Sequence, residues 1–410
     1  MEFSADGYLI VSLWIVGLIA TSAVLTILAI LFRALYRRKI FLWLLGYIYW
    51  AIDQRRNGTL WVNDPIHVLF CFVDHFEPGW NQADLKKERE RVDGWMQRYP
   101  SMAIKFSDGD GVHPKHTWFY PPHYFKDEHI KKLLYICKQG FGEIEMHLHH
   151  SRMEPFPDTS ESLRQKILDC IQLYSRYGIF ETKIEGGRVL KYAFIHGDWA
   201  LDGSRPEYCS VNDELKILSE TGCYADFTFP SYMIESQPRM INTIYYANDE
   251  PDKPKSYDRG VPVCVGGKPS GDLLIIQGPL GFRWEGRQQR WFPSVDDGEI
   301  SSNNPPTKDR IDFWVNTGIH IKGKSNWKIV KVFTHGAACR EHATLLGKPI
   351  EQMHAYLNEK YNDGEKYSLH YLTARELYNI IKAAEMNMSG DPGEYRNLII
   401  SGYNYCKGFK

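Results

Sequence analysis

Leu9 to Phe32 is the longest apolar run in the chain, mostly Leu, Ile, Val and Ala with no charged side chain. A run of that length is enough to cross a bilayer as a helix. Arg33, Arg37, Arg38 and Lys39 follow it, and the positive-inside rule then puts the N-terminus outside and everything after residue 33 in the cytoplasm. Glu2 and Asp6 stand where a cleaved signal peptide would carry positive charge. The next apolar stretch, Ile40 to Ile52, is too short to span alone and holds Tyr47, Tyr49 and Trp50 near its end. It reads as an interfacial helix with its rings at headgroup depth, or else as a buried helix that docks the soluble part.

From about residue 64 the pattern changes to short apolar, β-branched runs that alternate with longer amphipathic segments. Ile66–Val73, His116–Tyr120, Gly142–His149, Leu190–His196, Tyr224–Phe229, Asp272–Gln277 and Lys328–Thr334 read as strands, and Ala103–Phe106 as a short strand or loop edge. Asp127–Gln139, Ser160–Tyr177, Asn212–Thr221, Lys348–Tyr361 and Thr373–Asn387 read as helices, with Ser160 as a cap and Gly222 as a stop. Alternating β and α units predict a parallel sheet closed or wound by helices. The expected divisions are a membrane helix over 1–35, an interfacial helix and linker over 36–63, an α/β barrel over 64–345 with loop insertions near 248–271 and 296–309, and C-terminal helices with a loose tail over 346–410.

Composition narrows this picture only a little. The 410 residues suit one large domain or two smaller ones, and a net charge of −1 argues against nucleic acid as a partner. Twelve Trp and 25 Tyr suit a sugar-binding cleft, a core or a membrane interface. The eight cysteines, at 71, 137, 170, 209, 223, 264, 339 and 406, show no CxxC pair and no regular spacing. They read as free, buried thiols in a reducing compartment.

The strand ends carry the candidate chemistry. In Glu143-Ile144-Glu145-Met146-His147-Leu148-His149-His150, period-two geometry puts Glu143, Glu145, His147 and His149 on one face and the apolar residues on the other. Two carboxylates followed by imidazoles suit a divalent metal and its surroundings; a polar strand edge with solvated histidines is the simpler alternative. Other strands end Phe72-Val73-Asp74-His75, Phe194-Ile195-His196-Gly197 and Val332-Phe333-Thr334-His335-Gly336, and one contains Ala225-Asp226-Phe227. In parallel α/β barrels the site lies at the carboxyl ends of the strands, so Asp74, His147, His196 and His335 are expected to converge on one mouth. Asp108 and Asp110 look like the start of a calcium loop without the rest of its ligands, so a plain turn is the better reading.

In these motifs the chain resembles the polysaccharide deacetylase family, the NodB homology domain of carbohydrate esterases, over about residues 64 to 340. The resemblance implies a distorted (β/α) barrel with a divalent metal, often zinc. Asp74 matches the catalytic base of the family's first motif, and His75 replaces its metal-binding Asp. Glu143 to His147 matches the second motif up to its first His. The second His is expected at Ser151, so His149 or His150 must substitute. His196 stands where the third motif carries an Arg, Asp226 lies in the fourth motif, and His335 matches the fifth and its general acid.

The resemblance thus implies catalytic roles for Asp74, His335 and His196 and a metal held among His75, His147, His149 and His150. Glu143 and Glu145 are expected as buried or outer partners. The implied activity is removal of an acetyl or formyl group from a sugar of a polysaccharide or lipid-linked glycan at the plasma membrane. On the cytoplasmic face the substrate would be an envelope precursor; a periplasmic or extracellular domain is the alternative. The replaced Asp and displaced His equally suit a non-catalytic relative that binds sugar or scaffolds envelope polysaccharide assembly proteins. A glycosidase with paired carboxylates such as Asp74 and Glu77 is a third reading, against which the histidines at strand ends speak.

Overall fold

The computed structural model describes residues 5–57, 64–150, 157–184, 186–284 and 293–405. Ser151, Cys406 and the last residues of the expected tail lie outside these. Helix α1 (Ala5–Arg37) holds one stretch, Leu13–Arg37, with the length and composition of a membrane span or a signal sequence, and no part of its apolar window is buried. A short turn, Ile40–Leu42, leads into α2 (Leu44–Asn57). Ile40 and Trp43 are buried here against Ile241 and Leu280, with Tyr47 and Phe282 packed alongside. The turn thus seats the start of α2 against the soluble part, while no described residue of α2 itself is buried. Leu45, Ile48, Tyr49 and Ile52 form an exposed apolar stripe on the same helix, at the spacing of one helical face.

Then follow β1 (Ile66–His75), α3 (Leu85–Ala103), β2 (His116–Tyr120), α4 (Asp127–Lys138), β3 (Gly142–Leu148), α5 (Ser160–Ser175), the β4–β5 pair (Glu181–Ile184, Gly187–Leu190) and β6 (Tyr192–His196). The chain continues through α6 (Glu214–Glu220), β7 (Cys223–Asp226), β8 (Ile244–Ala247), β9 (Val261–Pro262), β10 (Leu273–Ile276), the β11–β12 pair (Gly281–Arg283, Ser294–Asp296) and α7 (Lys308–Thr317). It ends with β13 (Trp327–Thr334), α8 (His342–Leu345), α9 (Lys348–Tyr361), β14 (Tyr367–Leu372) and α10 (Ala374–Glu385).

Ten strands form one sheet in the order β13-β1-β2-β3-β6-β7-β10-β8-β9, with β14 also on β1. All pairs are parallel except β10–β8 and β8–β9. The expected barrel does not close among the described residues. Strands β9 and β13 approach each other only through residues 319–322, by single bridges (Cys264 with Lys322, Ile319 with Ile329) rather than a ladder.

Alternation along β1 divides the core. Val68, Phe70 and Phe72 point to the layer built by α3, α4, α5, α7 and α9. Leu69, Cys71 and Val73 point to the other face, where Leu377, Ile380 and Ile381 of α10 cover the sheet. Several sequence expectations need correction. Ala103–Phe106 is the end of α3 and the turn after it; Leu190–His196 is split between β5 and β6. The expected loose tail is tied down as far as residue 405: Arg396 bonds Asp108 and Asp110, and Tyr403 is buried on the sheet. Asp108 and Asp110 accept those bonds within a turn, as the plain-turn reading expects.

Candidate metal centre and its cavity

The strand β3 delivers His147 from its last turn of pleat and His149 just past its end, both on the face that also carries Glu143 and Glu145. His147 Nδ1 lies 2.9 Å from the Ile195 carbonyl. A carbonyl only accepts, so Nδ1 carries the hydrogen and Nε2 of the neutral ring is bare. His149 Nδ1 lies 3.1 Å from Asp198 Oδ2, and a carboxylate fixes its hydrogen in the same way. The two Nε2 atoms then face each other at 3.1 Å, and Glu77 Oε1 lies 3.0 Å from that of His149.

Three acceptor atoms thus converge on one point. Atoms held at about 2.0–2.1 Å from a tetrahedral zinc would stand roughly 3.3 Å apart, so Glu77, His147 and His149 fit a divalent cation. All three are buried or nearly so. Burial opposes the charge on His149, yet the bonds from Asp198 and Glu77 outweigh it and push the imidazole up to about 9. Burial would raise Glu77, but the His149 bond and the neighbouring imidazoles hold it down to about 2. His147 is lowered to about 3 by burial and by His149, and burial, His335 and His147 together hold His75 well below its ordinary value.

Glu77 opens onto a cavity of about 300 Å3 that is also lined by His75, Trp80, Trp199, Glu299, Ser301, Asn303, His335 and Arg340. His75 stacks on His335 with ring centroids 4.6 Å apart, and Trp199 meets His335 at 5.3 Å. The expected loop insertion supplies Glu299, Ser301 and Asn303. Asp198 and Trp199 both lie in the left-handed region, with φ of 53° and 54°. Each such residue costs on the order of 1–3 kcal/mol, offset here by the Asp198 bond to His149 and by Arg205, which donates to the Asp198 carbonyl at 2.9 Å. Both residues serve the site: Asp198 orients a ligand and Trp199 walls the cavity.

The structure brings together only part of the expected set. His147, His149, His75 and His335 share this region. Asp74 does not reach it: its carboxylate accepts from the Gly336 N–H at 2.7 Å and pairs with His116 Nε2 at 2.9 Å, on the α3 side of β1. Strand parity is the cause, because His75 takes the cavity side and Asp74 the opposite one. His150 and His196 turn away together to a separate buried cluster, where their Nε2 atoms lie 2.9 Å apart. Asp226 is occupied by Thr228. Glu77, two residues beyond β1, enters the sequence reading only as half of a carboxylate pair with Asp74; here its partners are imidazoles. Asp198 and Trp199 follow directly on the His196-Gly197 strand end, and of His196 and Asp198, the two residues that the sequence offers as orienting groups, Asp198 is the one that bonds His149.

No protein-family model matches the chain, and no curated protein resembles it in sequence. Among solved structures, the fold is similar to that of a protein from Parabacteroides distasonis provisionally assigned as a glycoside hydrolase/deacetylase. The match has a TM-score of 0.43 at 11% identity and covers 79% of this chain and 71% of that one. Likeness at that level leaves the site to be read from its own residues.

Proposed function

We propose that this chain is a metal-dependent hydrolase that removes an N-acyl group, acetyl or formyl, from a sugar of a polysaccharide or lipid-linked glycan. The observation that carries the reading is the convergence of Glu77, His147 and His149 beside a cavity that Glu77 lines together with His335 and two tryptophans. A divalent cation such as zinc, held by those three residues, supplies Lewis-acid polarisation of the acyl carbonyl and a water of lowered pKa.

The other residues bind, orient and move protons. Trp80 and Trp199 offer flat apolar faces on which a pyranose stacks. Asp198 fixes the His149 ring. His335 is placed to donate a proton to the leaving amine. Asp74, on the far side of β1, is replaced as proton acceptor by a cavity carboxylate. Glu77 is engaged with His149, and Glu341 with Ser302 and Arg340, which leaves Glu299 for the proton of the attacking water.

Helix α1 anchors the protein, and the exposed stripe of α2 rests on the bilayer surface beside it. The basic residues after α1 favour a cytoplasmic domain at the plasma membrane, working on an envelope polysaccharide precursor and its assembly proteins. Metal analysis of the purified protein, paired with release of acetate or formate from N-acylated oligosaccharides, tests the reading. His147→Ala is expected to lose metal from this site and to lower the rate by about 1,000-fold or more, since such polarisation is worth several kcal/mol. A His147→Ala variant that hydrolyses at the wild-type rate would overturn it.

A further inference from the structure

The second cluster lies on the other side of the β3 end, wholly inside protein. His150 Nε2 is 2.9 Å from His196 Nε2 and 3.1 Å from Glu214 Oε1, and His196 Nε2 is 3.5 Å from the same oxygen. Cys209 Sγ stands 3.5 Å from Glu214 Oε2. One ligand atom of each of the four lies within 4.8 Å of the others, and none of the four residues is more than 1% exposed.

The four ligand atoms face one another inside the cluster. His196 Nδ1 donates to the Gly197 carbonyl, so its Nε2 is bare. His150 Nδ1 faces Asp158 Oδ2 at 3.4 Å. Two imidazole nitrogens and a carboxylate at such separations suit a shared cation, which would take the place of the hydrogen that His150 Nε2 otherwise directs at Glu214. Backbone donors hold the anionic partners from outside: the Asp202 N–H on Glu214 at 2.7 Å and the Gly203 N–H on Cys209 at 3.2 Å. Outer hydrogen bonds of this kind are how proteins fix metal ligands.

We infer that His150, His196, Cys209 and Glu214 form a second metal site, a closed four-ligand zinc site that is structural rather than catalytic. The ligand types set the two centres apart. A thiolate and a carboxylate together cancel the charge of a divalent cation, which suits a dry interior, and four protein ligands leave no position for water. One carboxylate and two imidazoles at the Glu77 site leave both charge and a position open.

The chain feeds the two sites alternately. His149 goes to the Glu77–His147 group and His150 to the closed site; His196 goes to the closed site and Asp198 to His149. Between them sits Gly197, where an added Cβ would come within 2.4 Å of the His149 ring. The closed site ties the end of β3 to the end of β6 and the start of α6, and thereby holds the backbone that presents His149 and Asp198. This inference goes beyond the hydrolase reading and stands apart from it.

Cobalt substitution of the full-length, detergent-purified protein tests it. The cobalt-loaded wild type is expected to show a thiolate-to-cobalt charge-transfer band that Cys209→Ser removes and His147→Ala keeps. Bound zinc is expected to fall from two equivalents per chain to one in either variant. In zinc-loaded His147→Ala, X-ray absorption is expected to show one sulfur neighbour per zinc at about 2.3 Å, a measurement that does not depend on Cys209→Ser folding. A wild type without the thiolate band, or a His147→Ala zinc without a sulfur neighbour, overturns the inference; the four residues are then a metal-free imidazolium–carboxylate cluster. If the band persists while His147→Ala changes neither metal content nor activity, the closed site stands and the hydrolase reading falls.

Discussion

The face of β3 that carries Glu143, Glu145, His147 and His149 is buried along its length, yet its two halves are completed differently. In the first half every carboxylate oxygen has a donor from within the chain. Glu143 receives Arg375 at 2.8 and 2.9 Å and Thr373 at 2.7 Å. Glu145 receives the Tyr224 and Tyr403 hydroxyls at 2.7 and 2.6 Å and the Ala193 N–H at 2.7 Å. The donors come largely from α10 and the segment after it, so this half is a plug. In the second half, His147, His149 and Glu77 bring their ligand atoms together at one point. Both halves lie largely inside protein; what separates structure from chemistry here is whether the polar atoms are met by groups from elsewhere in the fold or converge on one another.

Breaking the second half is expected to cost activity, and breaking the first half stability. His335→Ala should lower the hydrolysis rate by roughly 100- to 10,000-fold, the usual worth of a positioned proton donor. Metal content and KM should stay near wild type; a parallel loss of metal would make His335 a ligand instead. Glu143→Ala leaves the Arg375 guanidinium buried without its carboxylate. It should destabilise the fold by about 3–5 kcal/mol in chemical denaturation while the bound metal per folded chain stays unchanged. Asp198→Asn keeps an acceptor for His149 but removes its charge, and should weaken metal at the cavity site by about 10–100-fold. Competition with a chelator reads that change.

Much of this face was legible because strand parity is local. The order of residues 143 to 149 alone puts the four polar groups together. The same rule says that only one of Asp74 and His75 can face the cavity. It does not say which, because that depends on which side of β1 meets α3 and which meets α10. Helix α3 was missed for a related reason. Its buried stripe opens with Glu88 and Arg91, whose charge is met by His129 at 3.7 Å and by the Pro78 and Trp80 carbonyls. The apolar period therefore starts only at Val92. Cys209 and Glu214 lie in a loop and at a helix start, and nothing near them in sequence announces His150. Their meeting is a product of the sheet order, in which β3 and β6 are neighbours although α5 and the β4–β5 pair intervene.

Glu145 offers the smallest and sharpest test of the plugged half. Burial pushes its carboxyl up to about 8, against three donors that favour the ionised form. In the unfolded chain it ionises near 4.5, so between those values the folded state holds one proton more. Its contribution to stability is fully present below about 4.5 and is lost as pH rises through about 8, with a slope of up to about 1.4 kcal/mol per pH unit. A protonated carboxyl keeps its three contacts by handing its own hydrogen to one of the two phenols. Glutamine reproduces that arrangement permanently, its NH2 donating to the Tyr224 and Tyr403 oxygens and its carbonyl accepting from Ala193. Glu145→Gln should therefore change stability near pH 4 by less than about 1 kcal/mol, the net worth of one exchanged hydrogen bond. It should also flatten the decline between about pH 5 and 8 in denaturation midpoints. An unchanged decline would mean that the three donors keep Glu145 ionised and that the alkaline sensitivity lies elsewhere.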